Sequence, residues 1–194
     1  MTTDSASPTP ATGTDRTAQE GSAAPARAGS GMAHAGRARW VVFFGLAVAV
    51  VVLDQVTKLW IVSNFDVNVV ASVLGDYVRI WLSHNNGALF GMFRDQALVF
   101  AAFSVLVIGI IVWYEAQAGG SLLVTLALGL LLGGAIGNLA DRLRLGYVVD
   151  FVDLGIGSWR FYTFNVADAA ITGSVLLLLL LAIVPGLAAA TRDG

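Results

Sequence analysis

Four apolar stretches, each about as long as a bilayer is thick, constrain this chain more than anything else in it. Trp40 to about Val62 is apolar until Asp54, Gln55 and Lys58 near its end. Ala97–Tyr114 and Ser121–Ala140 are uncharged runs of 18 and 20 residues, and Val166–Leu187 is apolar apart from Asp168. At about 1.5 Å of rise per residue, a helix of each length nearly crosses a hydrocarbon core of about 30 Å. The expected fold is therefore an all-α membrane protein of four transmembrane helices. Composition agrees: 57% of residues are hydrophobic and 12% charged, against about 25% charged in soluble domains.

The connections are unequal. Ser63–Gln96 and Asp141–Asn165 are long, whereas Glu115–Gly120 is short. Consecutive spans alternate direction, so both long loops share one membrane face with the end of span 1 (Asp54, Lys58), the end of span 3 (Asn138, Asp141, Arg142) and the start of span 4 (Asn165, Asp168). Ionisable groups at membrane depth are costly unless paired or functional, so this convergence marks a site. The short loop opposite carries one charge and no candidate chemistry. Arg37 and Arg39 before the first span place the N-terminus in the cytoplasm and the polar face outside, although Arg79, Arg94, Arg142, Arg144 and Arg160 in the long loops weigh against that.

Residues 1–39 are rich in Ala, Thr, Ser and Gly and read as a disordered cytoplasmic tail, with Met32 as an alternative start. No small-residue cleavage site follows the first apolar run, so it is not a signal peptide. Residues 40–187 form the membrane domain, and 188–194 a short cytoplasmic C-terminal tail. In the first long loop, alternation over Tyr77–Leu82 predicts a strand and Asn85-Asn86-Gly87 a turn. Trp159–Phe164 is β-prone and a candidate partner for that strand, or part of an interfacial aromatic belt. The two loops together would make a small β-rich outer-face subdomain.

Several chemistries drop out. The net charge of −2 offers no basic surface for nucleic acid. The chain lacks cysteine, and His34 and His84 lie in no metal-binding pattern, so neither metal nor cofactor is expected. Asp54 and Lys58, at i and i+4, form an ion pair or act directly. Lys58 is the sole lysine, which raises a Ser-Lys protease as an alternative. Ser63, Ser72, Ser83, Ser158 and Ser174 lie in no nucleophile motif. Gly129, Gly133 and Gly137 form a small-residue face for close helix approach. Asp141 and Arg142 read either as a neutralising pair capping the third helix or as catalytic groups. Asp150, within apolar Tyr147–Asp153, should be desolvated and protonated. Asp168 lies at N3 if Asn165 caps the fourth helix, an ordinary capping arrangement that also favours its anion. One acid and one anion are what an aspartic protease requires.

At these residues the chain resembles the lipoprotein signal peptidases (signal peptidase II), bacterial membrane aspartic proteases. The matching blocks are Asp54-Gln55-Val56-Thr57-Lys58, Asn85–Phe90, Gly133–Arg142, Val148–Phe151 and Phe164–Asp168, in order within residues 40–187. The resemblance implies Asp150 and Asp168 as the catalytic dyad. It implies Asp54, Lys58, Asn85, Gly87, Ala88, Phe90, Asn138, Asp141, Arg142, Val148, Asn165 and Ala167 as residues that shape the site or hold substrate. The implied substrate is a diacylglyceryl-modified prolipoprotein cut on the N-terminal side of its lipidated cysteine. Membrane lipid is the other partner, the enzyme is expected as a monomer, and the site is expected near the outer face of the cell membrane. Leu89 and Ala169 depart from the usual pattern without touching the chemistry. The alternative from another class is a small four-helix proton-coupled transporter or channel.

Overall fold

The computed structural model describes residues 28–67, 69–86, 97–117 and 120–190. Its long helices are α1 (Ala28–Asn64), α2 (Ala97–Gln117), α3 (Leu122–Leu145) and α4 (Val166–Ile183). All four are long and apolar enough to cross a membrane. The first begins at Ala28, ahead of the apolar run that starts at Trp40. The segment contains several good helix formers, and extending an existing helix requires no new nucleus. The fourth stops at Ile183, short of Leu187, because Pro185 has no N–H and disfavours helical geometry in the residue before it. Pro185 instead opens a short helix, α5 (Pro185–Ala190).

Helix α3 is the hub, packing on α1, α2 and α4. More than half of its apolar window (56%) is buried, against 17–22% for the other three. Its glycines are the reason. A Cβ at Gly133 would lie 2.6 Å from the Val50 Cβ and 2.7 Å from the Ala47 carbonyl, and one at Gly134 would lie 2.5 Å from the Ala167 carbonyl. Absent side chains thus let α1 and α4 approach α3 closely enough for their polar residues to meet. Phe43, Ala47, Ile111, Leu128 and Leu132 fill the middle of the bundle.

The two long loops build a four-stranded antiparallel sheet from β1 (Val70–Leu74), β2 (Val78–Asn85), β3 (Val148–Ile156) and β4 (Trp159–Arg160), in the order β1-β2-β3-β4. The expected strand at Tyr77–Leu82 is thus present but runs on to Asn85, so Asn85 is strand and not turn. Trp159–Phe164 does not pair with β2. Trp159 and Arg160 pair with Ile156 and Gly155, and Phe164 bridges Val152, because β3 has already taken the free edge of β2. Leu82, Val149 and Phe151 pack with Ile61 at the end of α1, which seats the sheet on the bundle.

Two arginines of the long loops, Arg79 and Arg160, are neutralised. Asp153, fully buried, receives Arg79 at 2.7 Å and Arg160 at 2.6 Å. Burial alone would raise its pKa, but hydrogen bonds from Arg160 and Arg79, with their charges, outweigh it and hold the carboxyl below its ordinary 3.8. At the opposite end of the bundle Glu115, expected at the start of the short loop, lies in the last turns of α2. Glu115 is buried, 3.1 Å from Arg39 and accepting from Thr125 Oγ1 at 3.0 Å, which ties α1, α2 and α3 together.

Candidate active site

The close contact of α1 with α3 brings together the polar end of each. Lys58 is buried and donates in three directions, to Asp54 Oδ2 at 2.8 Å, Asp141 Oδ2 at 2.9 Å and Asn138 Oδ1 at 3.2 Å. An ammonium has three donors and no acceptor, so this arrangement satisfies it completely. The i,i+4 pair of Asp54 and Lys58 is therefore real. Asp54 also accepts from the Ala167 backbone N–H at 2.9 Å, joining α1 to the first turn of α4. A Cβ on Gly137 would fall 2.8 Å from Asp54 Oδ2, so the carboxylate occupies space that only glycine leaves open.

Asp141 is placed differently from the expected pairing. Its partner is Lys58, not Arg142, since adjacent residues on a helix point in different directions. Asp141 also accepts from the Val149 N–H at 3.1 Å and so pins the start of β3 to α3. The Arg142 guanidinium donates to the Asn138 carbonyl at 3.2 Å, the expected cap on the helix, and lies 5.5 Å from the centre of the Phe100 ring. Gln55, part of the first matching block, has no role assigned from the sequence. Its side-chain N–H groups reach Asp141 Oδ1 at 3.0 Å, Asp54 Oδ2 at 3.2 Å and the Gly137 carbonyl at 3.3 Å. Its signal was present: an amide on an otherwise apolar helix, next to a carboxylate.

Asp168 lies at N3 of α4, as the capping reading expects. Asn165 Oδ1 accepts from the Asp168 N–H at 2.9 Å, and Asp168 Oδ2 accepts from the Asn165 N–H at 3.2 Å, a reciprocal capping box. The remaining oxygen, Oδ1, accepts from Asn138 Nδ2 at 2.7 Å. Asp150, opposite Ser83 in the sheet, accepts from Asn165 Nδ2 at 2.8 Å and from Asn85 Nδ2 at 3.0 Å. Asn138 and Asn165 are themselves bonded at 3.1 Å, so two amides span the two carboxyls.

Asp150 is 1% exposed, and burial pushes its pKa up from 3.8 to about 7. The nearby Asp168 charge pushes the same way, while hydrogen bonds from Asn85 and Asn165 and the charge of Lys58 oppose the rise without reversing it. Val148 and Ala167 are buried backbone supports beside the two carboxyls. Gly87, Ala88 and Phe90 lie outside the described residues.

Comparison with known proteins fits this geometry. The sequence model described as Signal peptidase (SPase) II matches residues 46–184. A lipoprotein signal peptidase of Moorella thermoacetica is 44% identical over 137 residues, covering 70% of this chain and 89% of that protein. One from Rhizorhabdus wittichii is 42% identical over 149 residues, covering 72% and 84%. A bacterial membrane enzyme solved by the in meso method at 2.3 Å superposes with a TM-score of 0.69 at 31% identity, covering 73% of this chain and 87% of that one. With the match spanning four helices, the sheet, Asp150 and Asp168, the chain belongs to the signal peptidase II family of multi-pass bacterial membrane enzymes.

Proposed function

We propose that this chain is an aspartic endopeptidase that removes the signal peptide from diacylglyceryl-modified prolipoproteins, with Asp150 and Asp168 as its catalytic residues. The supporting observation is the unequal treatment of two carboxyls bridged by one amide pair. Burial in an apolar strand favours the protonated form of Asp150, whereas Asp168 sits at a helix N-terminus and accepts from the Asn165 N–H and from Asn138 Nδ2. Asp168 takes a proton from water as that water attacks the scissile carbonyl carbon, while Asp150 donates a hydrogen bond to the carbonyl oxygen. The tetrahedral adduct then breaks its C–N bond, and a carboxyl proton passes to the leaving amine of the lipidated cysteine. The products are a signal peptide with a free carboxyl end and a protein beginning with that cysteine.

The fold suits such a substrate. Acyl chains held in the bilayer keep the scissile bond near the interface, and the dyad lies where the helix ends meet the sheet. We place the termini in the cytoplasm and this end of the bundle at the outer face, on the strength of Arg37 and Arg39. The pairing of Arg79 and Arg160 with Asp153 removes part of the opposing charge signal. The transporter alternative lacks a polar path among the described residues, since the bundle centre is packed with Phe43, Leu128 and Leu132. The test is to incubate purified protein with a diacylglyceryl-modified prolipoprotein and weigh the product. Wild type should cut immediately before the lipidated cysteine, and Asp150→Asn and Asp168→Asn should bind the precursor without cutting it. Normal cleavage by either variant would refute the assignment.

A further inference from the structure

An asparagine side chain is nearly symmetrical in shape and wholly asymmetrical in hydrogen bonding. Oδ1 only accepts and Nδ2 only donates, so a half-turn of the amide exchanges the two without changing the volume filled. Neighbours decide which way it points. Asn165 is fixed by the helix it caps, because the Asp168 N–H can meet only its Oδ1, which leaves Nδ2 to face Asp150. Asn138 caps nothing with its side chain and needs another anchor.

Two donors converge on Asn138 Oδ1, Lys58 Nζ at 3.2 Å and Asn165 Nδ2 at 3.1 Å. The second is the weaker constraint. Asn165 Nδ2 carries two protons and has two further acceptors, Asp150 Oδ1 at 2.8 Å and the Val149 carbonyl at 3.2 Å, so each proton keeps an acceptor if Asn138 turns. Lys58 has no such freedom. Its ammonium is buried, held by Asp54 and Asp141, and its third proton has Asn138 as its acceptor. Turning Asn138 would set an NH2 against an ammonium and a carbonyl oxygen against Asp168 Oδ1. Two facing acceptors are tolerable only if Asp168 takes up a proton, and a protonated Asp168 cannot accept one from water.

We propose that Lys58 is a positioning residue that fixes the Asn138 amide with Nδ2 towards Asp168, and so keeps Asp168 available as the proton acceptor of the reaction. This deepens the dyad reading and rests on it. Lys58 acts through Asn138 and touches no reacting atom. The other charged groups around Asp168 are Asp54 of α1, Asp141 and Arg142 of α3 and Asp150 of β3. A change at Lys58 must therefore be separated from a change in net charge.

The combination Asp54→Asn/Lys58→Met does so, removing one charge of each sign. Single-turnover cleavage of a lipidated precursor is compared for wild type, that combination, Asn138→Leu, and all three changes together. Asn138→Leu should slow cleavage about 10²- to 10³-fold, the usual effect of losing one preorganised donor. The charge-balanced combination should fall in the same range, and adding it to Asn138→Leu should cost no more than about threefold further, because both remove one interaction. Losses that multiply would overturn the proposal.

A second readout does not depend on turnover. In protein labelled with 15N at asparagine, the Asn138 Nδ2 protons, assigned by their loss in Asn138→Leu, should shift with pH as Asp168 ionises. The response should be absent in Asp168→Asn and in the charge-balanced combination. If that combination retains it, or wild type lacks it, Lys58 does not set the amide. Should the combination fail to fold, Lys58→Met alone is read in its place: a mere charge effect would move the midpoint of the response, whereas a turned amide would abolish it. Should wild type cut no lipidated precursor, the proposed function fails, while the amide response still decides the role of Lys58.

Discussion

Asp150→Asn should abolish cleavage and, above neutral pH, make the protein more stable. The folded-state pKa of Asp150, about 7, stands above its ordinary 3.8, so the native protein binds this proton more tightly than the unfolded chain does. Below about pH 4 both states are protonated and the group is neutral in its effect. Between about 4 and 7 the unfolded chain has released the proton while the native state retains it, so stability falls as pH rises. Above 7 the full penalty applies, about 4 kcal/mol for a displacement of this size. Almost no solvent reaches the carboxyl to screen it.

The asparagine variant carries no such penalty but loses an acceptor that faces Asn85 or Asn165, at a cost of about 1–3 kcal/mol independent of pH. Wild type should therefore be the more stable protein at pH 4 and the less stable at pH 8, with the difference between them changing by about 4 kcal/mol. For a chain of this length that corresponds to roughly 10 °C in Tm. Thermal unfolding of both proteins in one detergent, from pH 4 to pH 8, measures it. Parallel curves over that range would show that burial does not hold the Asp150 proton and would remove the physical basis for calling it the acid.

Three further outcomes are expected. Gly137→Ala drives a methyl against Asp54 and within 3.3 Å of the Ala167 Cβ, and should destabilise the fold by about 1–3 kcal/mol with a parallel loss of activity; a variant melting like wild type would show that the contact is slack. Asp153→Asn leaves Arg79 and Arg160 without their buried partner and should cost about 3 kcal/mol or more near neutral pH. Because the Asp153 carboxyl is held below 3.8, its stabilisation is present above that value and fades as pH falls, so wild type and variant should converge in acid, and denaturant titrations at pH 3 and pH 7 test that. Asn86→Cys, the sole thiol in the chain, should react in intact cells or spheroplasts with an impermeant reagent, and labelling of Gln117→Cys in its place would invert the proposed orientation.

Much of this protein is written locally. Four apolar runs specify four spans because hydrocarbon thickness sets helix length, and each was placed to within a few residues except where Ala28–Arg39 prolonged a helix and Pro185 ended one. The Asn165–Asp168 capping box and the Asp54–Lys58 pair were legible for the same reason, since each lies within one turn of one helix. The close approach to α3 was legible from the spacing of Gly129, Gly133 and Gly137. Gly87, Ala88 and Phe90 came from family resemblance alone.

Whatever joins distant segments was decided only in three dimensions. Sequence put Arg142 beside Asp141, and the structure gave Asp141 to Lys58, which lies far away along the chain but one helix diameter away in space. Sequence offered Trp159–Phe164 to the β2 strand, and β3 took that edge instead, because β3 leaves α3 directly beneath it with Val149 already bonded to Asp141. Glu115, read as a lone loop charge, is buried against Arg39 from another helix. Spacing along a helix fixes which side chains share its face, but it does not fix which face of another helix arrives there. At this site that arrival makes two ordinary asparagines into the bridge between Asp150 and Asp168.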